Sequence, residues 1–259
     1  MISIVTITLN NFDELKKTLK SIPQNDFIES IIINGGENKQ TEEYLKSYKG
    51  KVINEKDSGI ADAFNKGIKN SSGDSIMFLN SGDILIEPTY LKEADDFLGN
   101  NKHIDFIHSN LLFKDLTGAN IVMQPTFGNP GRGQPYLHPT MIMRRKIYED
   151  IGLFNINYKI AMDFDFILRI LKRNYTGFYR NKGPVILMEG SGKSAIKEWD
   201  AIKECYRSLK ENDFLNLRTV WGLFIRVVLY FFRKVLVIAG GGNLLKILKE
   251  KKYRFKLFN

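Results

Sequence analysis

The first eighty residues alternate between short apolar runs and amphipathic stretches, and this alternation restricts the fold more than any other feature. Runs rich in Ile and Val are typical of buried strands, and they occupy residues 2–9, 30–33, 52–53 and 75–79. Apolar positions at helical spacing fill the intervals between them, at 13–22, 41–48 and 60–69. Strands that alternate with helices predict a parallel sheet covered by helices on both faces.

The second half of the chain has a less regular pattern. Helices are predicted at 90–98, 145–151 and 163–173, and strands at 105–113, 121–123 and 138–144. Residues 125–136 are dense in Gly and Pro, which predicts a mobile loop. The fold class that we predict for the chain is therefore α/β, with a mixed sheet flanked by helices.

Composition excludes several classes of protein. Hydrophobic residues make up 43% and charged residues 26% of the 259 residues, as in ordinary globular proteins. A disordered chain, a collagen-like chain and a polytopic membrane protein are thereby excluded. The single cysteine, Cys205, excludes a disulfide framework and a cysteine-rich zinc site, and a packing role is predicted for it. No basic segment precedes an apolar stretch at the N-terminus, so we expect no secretory signal and a cytoplasmic location.

The net charge of +9 is confined to the C-terminal segment. Residues 214–259 hold ten basic residues and one acidic residue, which leaves residues 1–213 neutral. Apolar residues recur at helical spacing between Trp221 and Leu236, with Arg226 and Arg233 on the opposite side. We predict a domain at 1–213 and a membrane-associating extension at 214–259 that lies on an anionic bilayer, the inner face of the cell membrane, without spanning it. The triple glycine at 240–242 is expected to end the helix, and a second short basic stretch, residues 244–258, follows it. The alternative is a helix packed on the parent domain, and the absence of a nucleic-acid motif argues against a nucleic-acid partner.

Polar residues that follow the predicted strands are the first candidates for a functional site. Ligands of open α/β sheets bind beyond the carboxyl ends of the strands, which here carry Thr8, Asn10, Asn34, Asp57 and residues 80–83. A strand-end carboxylate such as Asp83 either caps the next element or holds a divalent cation on nucleotide phosphates.

Two further carboxylates, Asp163 and Asp165, open a predicted helix. They either complement the helix dipole or provide a general base that takes a proton from a sugar hydroxyl.

Four segments of the chain resemble, in order, the conserved blocks of family 2 glycosyltransferases of the GT-A fold. They are SIVTITLNNFDELKKTL at 3–19, NEKDSGIADAFNKG at 54–67, FLNSGD at 78–83 and HPTMIMRRKIYEDIGLFNINYKIAMDFDFILR at 138–169. The third segment is similar to a form of the family's DXD motif. The matches extend over roughly residues 3–195, and the nearest subgroup builds bacterial capsule, exopolysaccharide or lipopolysaccharide.

This resemblance implies a nucleotide-sugar donor, with UDP-sugars favoured, a Mn²⁺ or Mg²⁺ ion, and displacement of the nucleotide diphosphate with inversion. It implies a glycan or lipid-linked saccharide as acceptor, and a homo-oligomer is compatible with the sequence. Asp83 corresponds to the metal-binding residue and Asp163 to the catalytic base. The donor-side positions are Thr8, Asn10, Asn34, Asp57, Asp62, Asn65, Lys66 and Asn80, and His138 and Asp165 correspond to positions near the mouth of the site and beside the base.

Two residues depart from the family pattern. Asn34 stands where the family has an acidic residue that reads the base, and Gly82 replaces one carboxylate of the metal motif, so that Asn80 is expected to contribute its carbonyl oxygen. Two rival functions are compatible with the same type of sheet, a nucleotidyltransferase and a non-catalytic nucleotide-sugar binding module. A nucleotidyltransferase requires a glycine-rich, basic phosphate loop after strand one, which residues 10–13 do not provide. Loss of Asp83 or Asp163 would favour the binding module, and both residues are present.

Overall fold

The computed structural model describes residues 1–115, 118–126, 128–190 and 197–240. Within them the strands are β1 (Ile2–Thr8), β2 (Ile28–Asn34), β3 (Lys51–Asn54), β4 (Ser75–Phe78), β5 (Ile84–Leu85), β6 (Phe106–Lys114), β7 (Asn120–Met123), β8 (Ile142–Arg144) and β9 (Gly177–Glu189). The helices are α1 (Phe12–Ser21), α2 (Lys39–Lys46), α3 (Ile60–Asn70), α4 (Thr89–Asn100), α5 (Arg145–Ile151), α6 (Met162–Lys172), α7 (Glu198–Glu211) and α8 (Leu217–Ile238).

One mixed sheet contains these strands in the order β3-β2-β1-β4-β8-β6-β9-β5, and β7 pairs with β6. The first four strands are parallel, as the alternating sequence pattern predicts. Thr8 lies beside Asn34, and Asn34 lies beside Asn54, so three polar side chains end their strands level with one another. This common edge is the one at which a ligand of such a sheet is expected.

The second half of the sheet departs from the sequence-based prediction at three places, the first of which is the unpredicted two-residue strand β5 at its end. Strand β9, with 13 residues, was not predicted, and it pairs in parallel with β6. The strand predicted at 138–144 is confined to Ile142–Arg144, because His138–Thr140 forms a 3₁₀ turn. Pro139 has no N–H to give to a strand ladder, which explains the turn.

The two faces of the sheet are covered by different helices. On one face, α3, α5 and α6 bury an aromatic group that includes Phe64, Phe78, Phe154 and Phe166. On the other face, α1 and α4 bury aliphatic side chains such as Leu15 and Leu91. Large apolar side chains alternate between the faces along β4, where Phe78 belongs to the first cluster and Met77 to the second.

Helix α8 packs on the domain most closely over its first two turns, and beyond them one side contacts α7 while the other is exposed. Asn216 and Thr219 form a capping box at its start, and Thr219, Gly222 and Leu223 are buried. The predicted boundary at 213/214 thus falls just before a packed turn. Beyond this contact the exposed side is strongly apolar, with Trp221, Phe224, Val228, Phe231, Phe232 and Val235 each at least 48% exposed.

The two arginines predicted to face away from the apolar side contact the protein. Arg233 forms an ion pair with Glu198 at the start of α7, and Arg226 lies close enough to Cys205 of the same helix to oppose the rise in the pKa of its thiol that burial causes. Cys205 is buried, as its predicted packing role requires. No helix in the described ranges is long and apolar enough to cross a bilayer. The basic stretch predicted at 244–258, with Gly241 and Gly242, lies outside the described residues.

Candidate active site

The ends of β1, β2 and β3 form a hydrogen-bonded polar edge. The Thr8 hydroxyl donates to Asn11 Oδ1 over 2.6 Å, and the N–H of Gly35 donates to the Thr8 carbonyl over 3.1 Å. Asn34 is 2% exposed; its Nδ2 donates to Asn54 Oδ1 over 2.9 Å and its Oδ1 accepts from Gly36 N. The Asn34 amide therefore fixes the turn after β2. A carboxylate in its place could still accept from Gly36 N but could not donate to Asn54 Oδ1.

Two glycines after β2 allow this edge to close. A Cβ added at Gly35 would lie 1.8 Å from Asp57 Oδ2, and one added at Gly36 would lie 2.3 Å from Asn10 Oδ1. Asp57 and Asn10 therefore lie directly against the backbone of this turn. Asn10 adopts a positive φ of 54°, which turns its side chain towards Glu37, whose N–H it accepts over 3.0 Å.

The first turns of α3 hold the segment that carries Asp57. Asp62 accepts from the N–H of Ser58, and that hydrogen bond lowers the pKa of its carboxyl group. Lys66 forms ion pairs with Glu55 at 2.8 Å and Asp62 at 3.7 Å, and the pKa of Lys66 is raised chiefly by Glu55. Asp62 and Lys66 thus stabilise the loop after β3 through contacts within the protein.

Asn65 connects α3 to the segment before α6 through its side-chain amide. Its side chain is buried; its Nδ2 donates to the carbonyl of Phe154 and its Oδ1 accepts from the N–H of the same residue, both over 2.9 Å. This reciprocal pair attaches α3 to the segment before α6, and both ends of the amide are occupied.

The turn after β4 buries the carboxyl group of Asp83 and two side-chain oxygen atoms that precede it in the chain. Asp83 is 6% exposed, and desolvation raises the pKa of its carboxyl group from 3.8 to about 7, opposed by a hydrogen bond from Asn80 N. The Asn80 Oδ1 and Ser81 Oγ atoms are buried and have no hydrogen-bond partner within the described part of the chain. Gly82 has φ +104°, a conformation that favours glycine and explains the departure from the family motif.

This turn supplies the hard oxygen ligands that Mn²⁺ and Mg²⁺ prefer. Across the described ranges no group of three or more His, Cys, Asp or Glu side chains is placed to hold a metal ion. One protein carboxylate and neighbouring neutral oxygens are nevertheless sufficient where substrate phosphates complete the coordination. The buried donor set of Asp83, Asn80 and Ser81 therefore fits such an ion.

His138 lies inside the aromatic cluster at the end of β4. Its ring stacks on Phe78 with a centroid distance of 5.5 Å and contacts Phe64 and Phe154. Burial lowers the pKa of His138, and the charge of Asp163 acts in the opposite direction. Its Nε2 has no hydrogen-bond partner among the described residues. His138 is therefore a neutral, buried ring that links the end of β4 to Asp163.

Asp163 occupies the first turn of α6, and both of its carboxylate oxygens are oriented. Oδ1 accepts from the N–H of Phe164 over 2.7 Å, and Oδ2 accepts a hydrogen bond from the side chain of Gln134. Glu204 of α7 accepts the N–H groups of Ile160 and Ala161 just before the helix. Helix α7, which the sequence analysis did not predict, thus anchors the turn that presents Asp163.

Asp165, the second predicted carboxylate of this helix, is buried between α6 and α7. It is 3% exposed, with Arg169 Nε 3.1 Å from one oxygen and Ser208 Oγ and Asn212 Nδ2 at 3.2 and 3.0 Å from the other. These contacts join α6 to α7. Asp163 and Asp165 open the same helix, but the second points into the interface between two helices.

The family assignment rests on more than half of the chain. The model of the family described as Glycosyl transferase family 2 matches residues 3–162. The chain belongs to glycosyltransferase family 2. A glycosyltransferase of uncharacterized activity from Mycobacterium tuberculosis is 29% identical over 178 residues, which cover 65% of this chain and 68% of the relative. A glycosyltransferase of PGL/p-HBAD biosynthesis from Mycobacterium bovis is 25% identical over 182 residues, covering 65% and 69% of the two chains.

Solved structures share the fold of this glycosyltransferase. The TarS protein of S. aureus in complex with UDP-GlcNAc has a TM-score of 0.63 at 17% identity, covering 86% of this chain and 70% of that one. The mannosyltransferase PcManGT from Pyrobaculum calidifontis, in complex with GDP-Man and Mn²⁺, has a TM-score of 0.60 at 14% identity and covers 98% and 82%. These likenesses confirm the predicted GT-A fold.

The described contacts bring the predicted site residues together in two groups. Thr8, Asn10, Asn34 and Asp57 share the polar edge of β1 to β3. Asp83 and Asn80 follow β4 directly, and Asp163 reaches the end of the same strand through His138, which stacks on Phe78. Gln134 and Glu204 were not predicted, because their partners lie 29 and 43 or 44 residues away in the chain, and Asn11 was not predicted although its partner Thr8 is three residues away.

Proposed function

We propose that this family 2 enzyme is an inverting, metal-dependent glycosyltransferase that uses a nucleotide-sugar donor. The observation that supports the proposal is that Asp83 is buried directly after β4, while Asp163 at the start of α6 acts on His138, whose ring stacks on Phe78 at the end of that strand. A nucleotide diphosphate leaves as an anion and the acceptor hydroxyl must lose a proton, so the reaction requires an electropositive group and a base at separate points.

The polar edge of β1 to β3 is proposed to bind the nucleotide. Asp57 and Asn10 lie against the glycine turn after β2, which holds their side-chain oxygens at this edge of the sheet. Two structural neighbours hold UDP-GlcNAc and GDP-Man, which are both nucleoside diphosphate sugars. UDP-sugars are our first choice of donor for this chain.

Asp83, Asn80 and Ser81 are proposed to hold the divalent ion, Mn²⁺ or Mg²⁺. When bound there, the ion would neutralise charge on the departing diphosphate. The unpartnered oxygens of Asn80 and Ser81 support this assignment, since buried polar atoms without partners are rare in proteins.

Asp163 is proposed to act as the general base. Its carboxylate would accept the proton of the acceptor hydroxyl while that oxygen forms a bond to the anomeric carbon and the bond to the diphosphate breaks. The neutral His138 ring excludes water from one side of the carboxylate because it lies within the aromatic cluster. Attack opposite to the leaving group gives inversion at the anomeric carbon.

The experiment that tests this proposal measures nucleotide diphosphate release from a panel of UDP- and GDP-sugars, with Mn²⁺, Mg²⁺ or EDTA. We expect metal-dependent transfer by the wild type and a loss of at least 100-fold in kcat for Asp163→Asn with donor affinity retained. Asp26→Asn, an exposed change in the segment before β2, is the matched control. Full activity of Asp163→Asn would remove this residue from the base role.

The acceptor is proposed to be a lipid-linked saccharide of a bacterial surface polysaccharide, met by the enzyme on the inner face of the cell membrane. The exposed apolar side chains of α8 support a peripheral attachment, because large exposed patches of this kind mark protein or membrane contacts.

The membrane attachment is tested with a substitution that preserves the packed first turns of α8. Phe224→Glu and Phe232→Glu together should release the protein from vesicles of anionic lipid, while Asp26→Asn should leave binding unchanged. Undiminished co-sedimentation of the double variant would contradict the attachment. A dimer that dissociates in the double variant would indicate instead that a second copy of the chain covers this side.

A further inference from the structure

The described residues of segment 126–134, a loop next to the proposed base, are joined by hydrogen bonds. The N–H and the hydroxyl of Thr126 both donate to the carbonyl oxygen of Gln134, over 3.3 and 2.7 Å. Within the loop, Pro130–Arg132 forms a 3₁₀ turn, and Asn129 Oδ1 accepts from the N–H of Gly131. Hydrogen bonds therefore join Thr126 to Gln134 and Asn129 to Gly131 within this loop. Phe127 lies outside the described residues.

Helix α8 contacts the 3₁₀ turn of this loop backbone to backbone. A Cβ added at Gly131 would lie 2.1 Å from the carbonyl oxygen of Thr219. One added at Gly222 would lie 2.8 Å from the carbonyl carbon of Gly131 and 2.9 Å from the N atom of Arg132. Asn129 Nδ2 also donates to the carbonyl of Arg218 over 3.0 Å. No side chain separates the two segments, so a displacement of α8 must displace the turn.

Gln134 connects the other end of the loop to Asp163. Its Nε2 donates to Asp163 Oδ2, while Oδ1 of the same carboxylate accepts a hydrogen bond from the N–H of Phe164. Each carboxylate oxygen has two lone pairs, so Oδ2 can accept a second proton donor while it is held. The hydrogen bond therefore orients the carboxylate without blocking it.

We propose that Gln134 is a positioning residue for Asp163, and that α8 sets the location of Gln134 through the turn Pro130–Arg132. The inference rests on the proposed function, in which Asp163 is the base. It assigns a catalytic consequence to the helix that is also proposed to meet the membrane: an enzyme whose α8 is out of place holds its base in the wrong orientation.

The kinetic test compares two substitutions of Gln134 with a substitution in α8. Gln134→Ala and Gln134→Met both remove the N–H donor, and the second keeps the length of the side chain. We expect each to lower kcat about 10- to 100-fold, the effect of losing a hydrogen bond to a charged group, with donor KM unchanged. Gly222→Ala should lower kcat in the same way, and Gly99→Ala, where an added methyl group meets nothing within 4 Å, is the control.

Hydrogen exchange measured by mass spectrometry tests the coupling without any substrate. Gly222→Ala should speed exchange of residues 128–134 and of the Phe164 amide, without loss of protection in α8 itself, since Ala favours a helix more than Gly. Gly99→Ala should change neither segment.

The outcomes separate the inference from the proposed function. Wild-type kcat in Gln134→Met would overturn the positioning role, and unchanged exchange at 128–134 in Gly222→Ala would overturn the coupling to α8. If the wild type transfers no sugar from any donor, the proposed function fails, and exchange alone then decides whether α8 is coupled to Asp163.

Discussion

Burial of Asp83 makes a quantitative prediction about stability. Desolvation raises the pKa of its carboxyl group to about 7, against 3.8 for the ordinary side chain. Between these values the unfolded chain has released the Asp83 proton while the folded chain retains it. Stability therefore falls as pH rises from about 4 to 7, and the loss stays constant above pH 7, where both states are ionised.

The size of this effect follows from the separation of the two pKa values. At 1.36 kcal/mol for each pH unit, the difference between 3.8 and about 7 corresponds to about 4 kcal/mol above pH 7. Asp83→Asn keeps the shape of the side chain and cannot ionise. We therefore expect the variant and the wild type to have similar stability near pH 4, and the variant to be more stable by up to about 4 kcal/mol at pH 8.

Urea denaturation in EDTA, followed by circular dichroism between pH 4 and 8.5, measures this difference. A gap between wild type and Asp83→Asn that does not grow with pH would refute the argument from burial. Millimolar Mn²⁺ at pH 8 should stabilise the wild type and leave Asp83→Asn unaffected, since a bound cation favours the ionised carboxylate. The same Mn²⁺ effect on both proteins would remove Asp83 from the metal site.

Two further predictions concern residues assigned to structural tasks. Asp165→Ala leaves Arg169 without its buried partner and should destabilise the fold by about 3–5 kcal/mol, measured by urea denaturation; a loss below about 1 kcal/mol would contradict the buried ion pair. Asn65→Ala leaves the N–H and carbonyl of Phe154 unpaired and should cost about 2–5 kcal/mol. Asn65→Asp should fail to restore this stability in the same assay, since an ionised carboxylate has no proton to donate, and full restoration would show that the donor to Phe154 is unimportant.

The first half of the fold was predictable because its signals are local. The runs that form β1 to β4 and the helices between them carry their periodicity in consecutive residues, and the structure confirms each of these elements within two residues at either end. By contrast, β9 contains Gly177, Gly183 and Pro184, which interrupt the apolar pattern of a strand. Its pairing with β6 stabilises the strand despite that weak pattern. A pairing between segments this far apart in the chain gives no signal in a short stretch of sequence.

The types of residue that form the site were predictable from the sequence, whereas the partners that each of them contacts were not. Asp163 and Asp165 are both carboxylates in the first turn of α6, and only the position of α7 decides between them, since Ser208 and Asn212 bind the second. Gln134 belongs to a stretch that composition marks simply as loop. Its partner Asp163 is 29 residues away, so no spacing rule relates the two.

Because Arg226 and Arg233 face the protein, the apolar and the electrostatic contributions to membrane affinity can be measured separately. Arg233 forms an ion pair with Glu198 and Arg226 lies beside the buried Cys205, so the exposed side of α8 consists mainly of aromatic and aliphatic groups, with Arg218 and Lys234 as its exposed basic residues. Adsorption through these groups would be almost insensitive to ionic strength, because dissolved ions screen charges and leave the burial of apolar surface intact. Any strong dependence of vesicle binding on salt would then originate from Arg218, Lys234 and the basic residues after position 240, so a salt titration separates the apolar from the basic contribution of the extension.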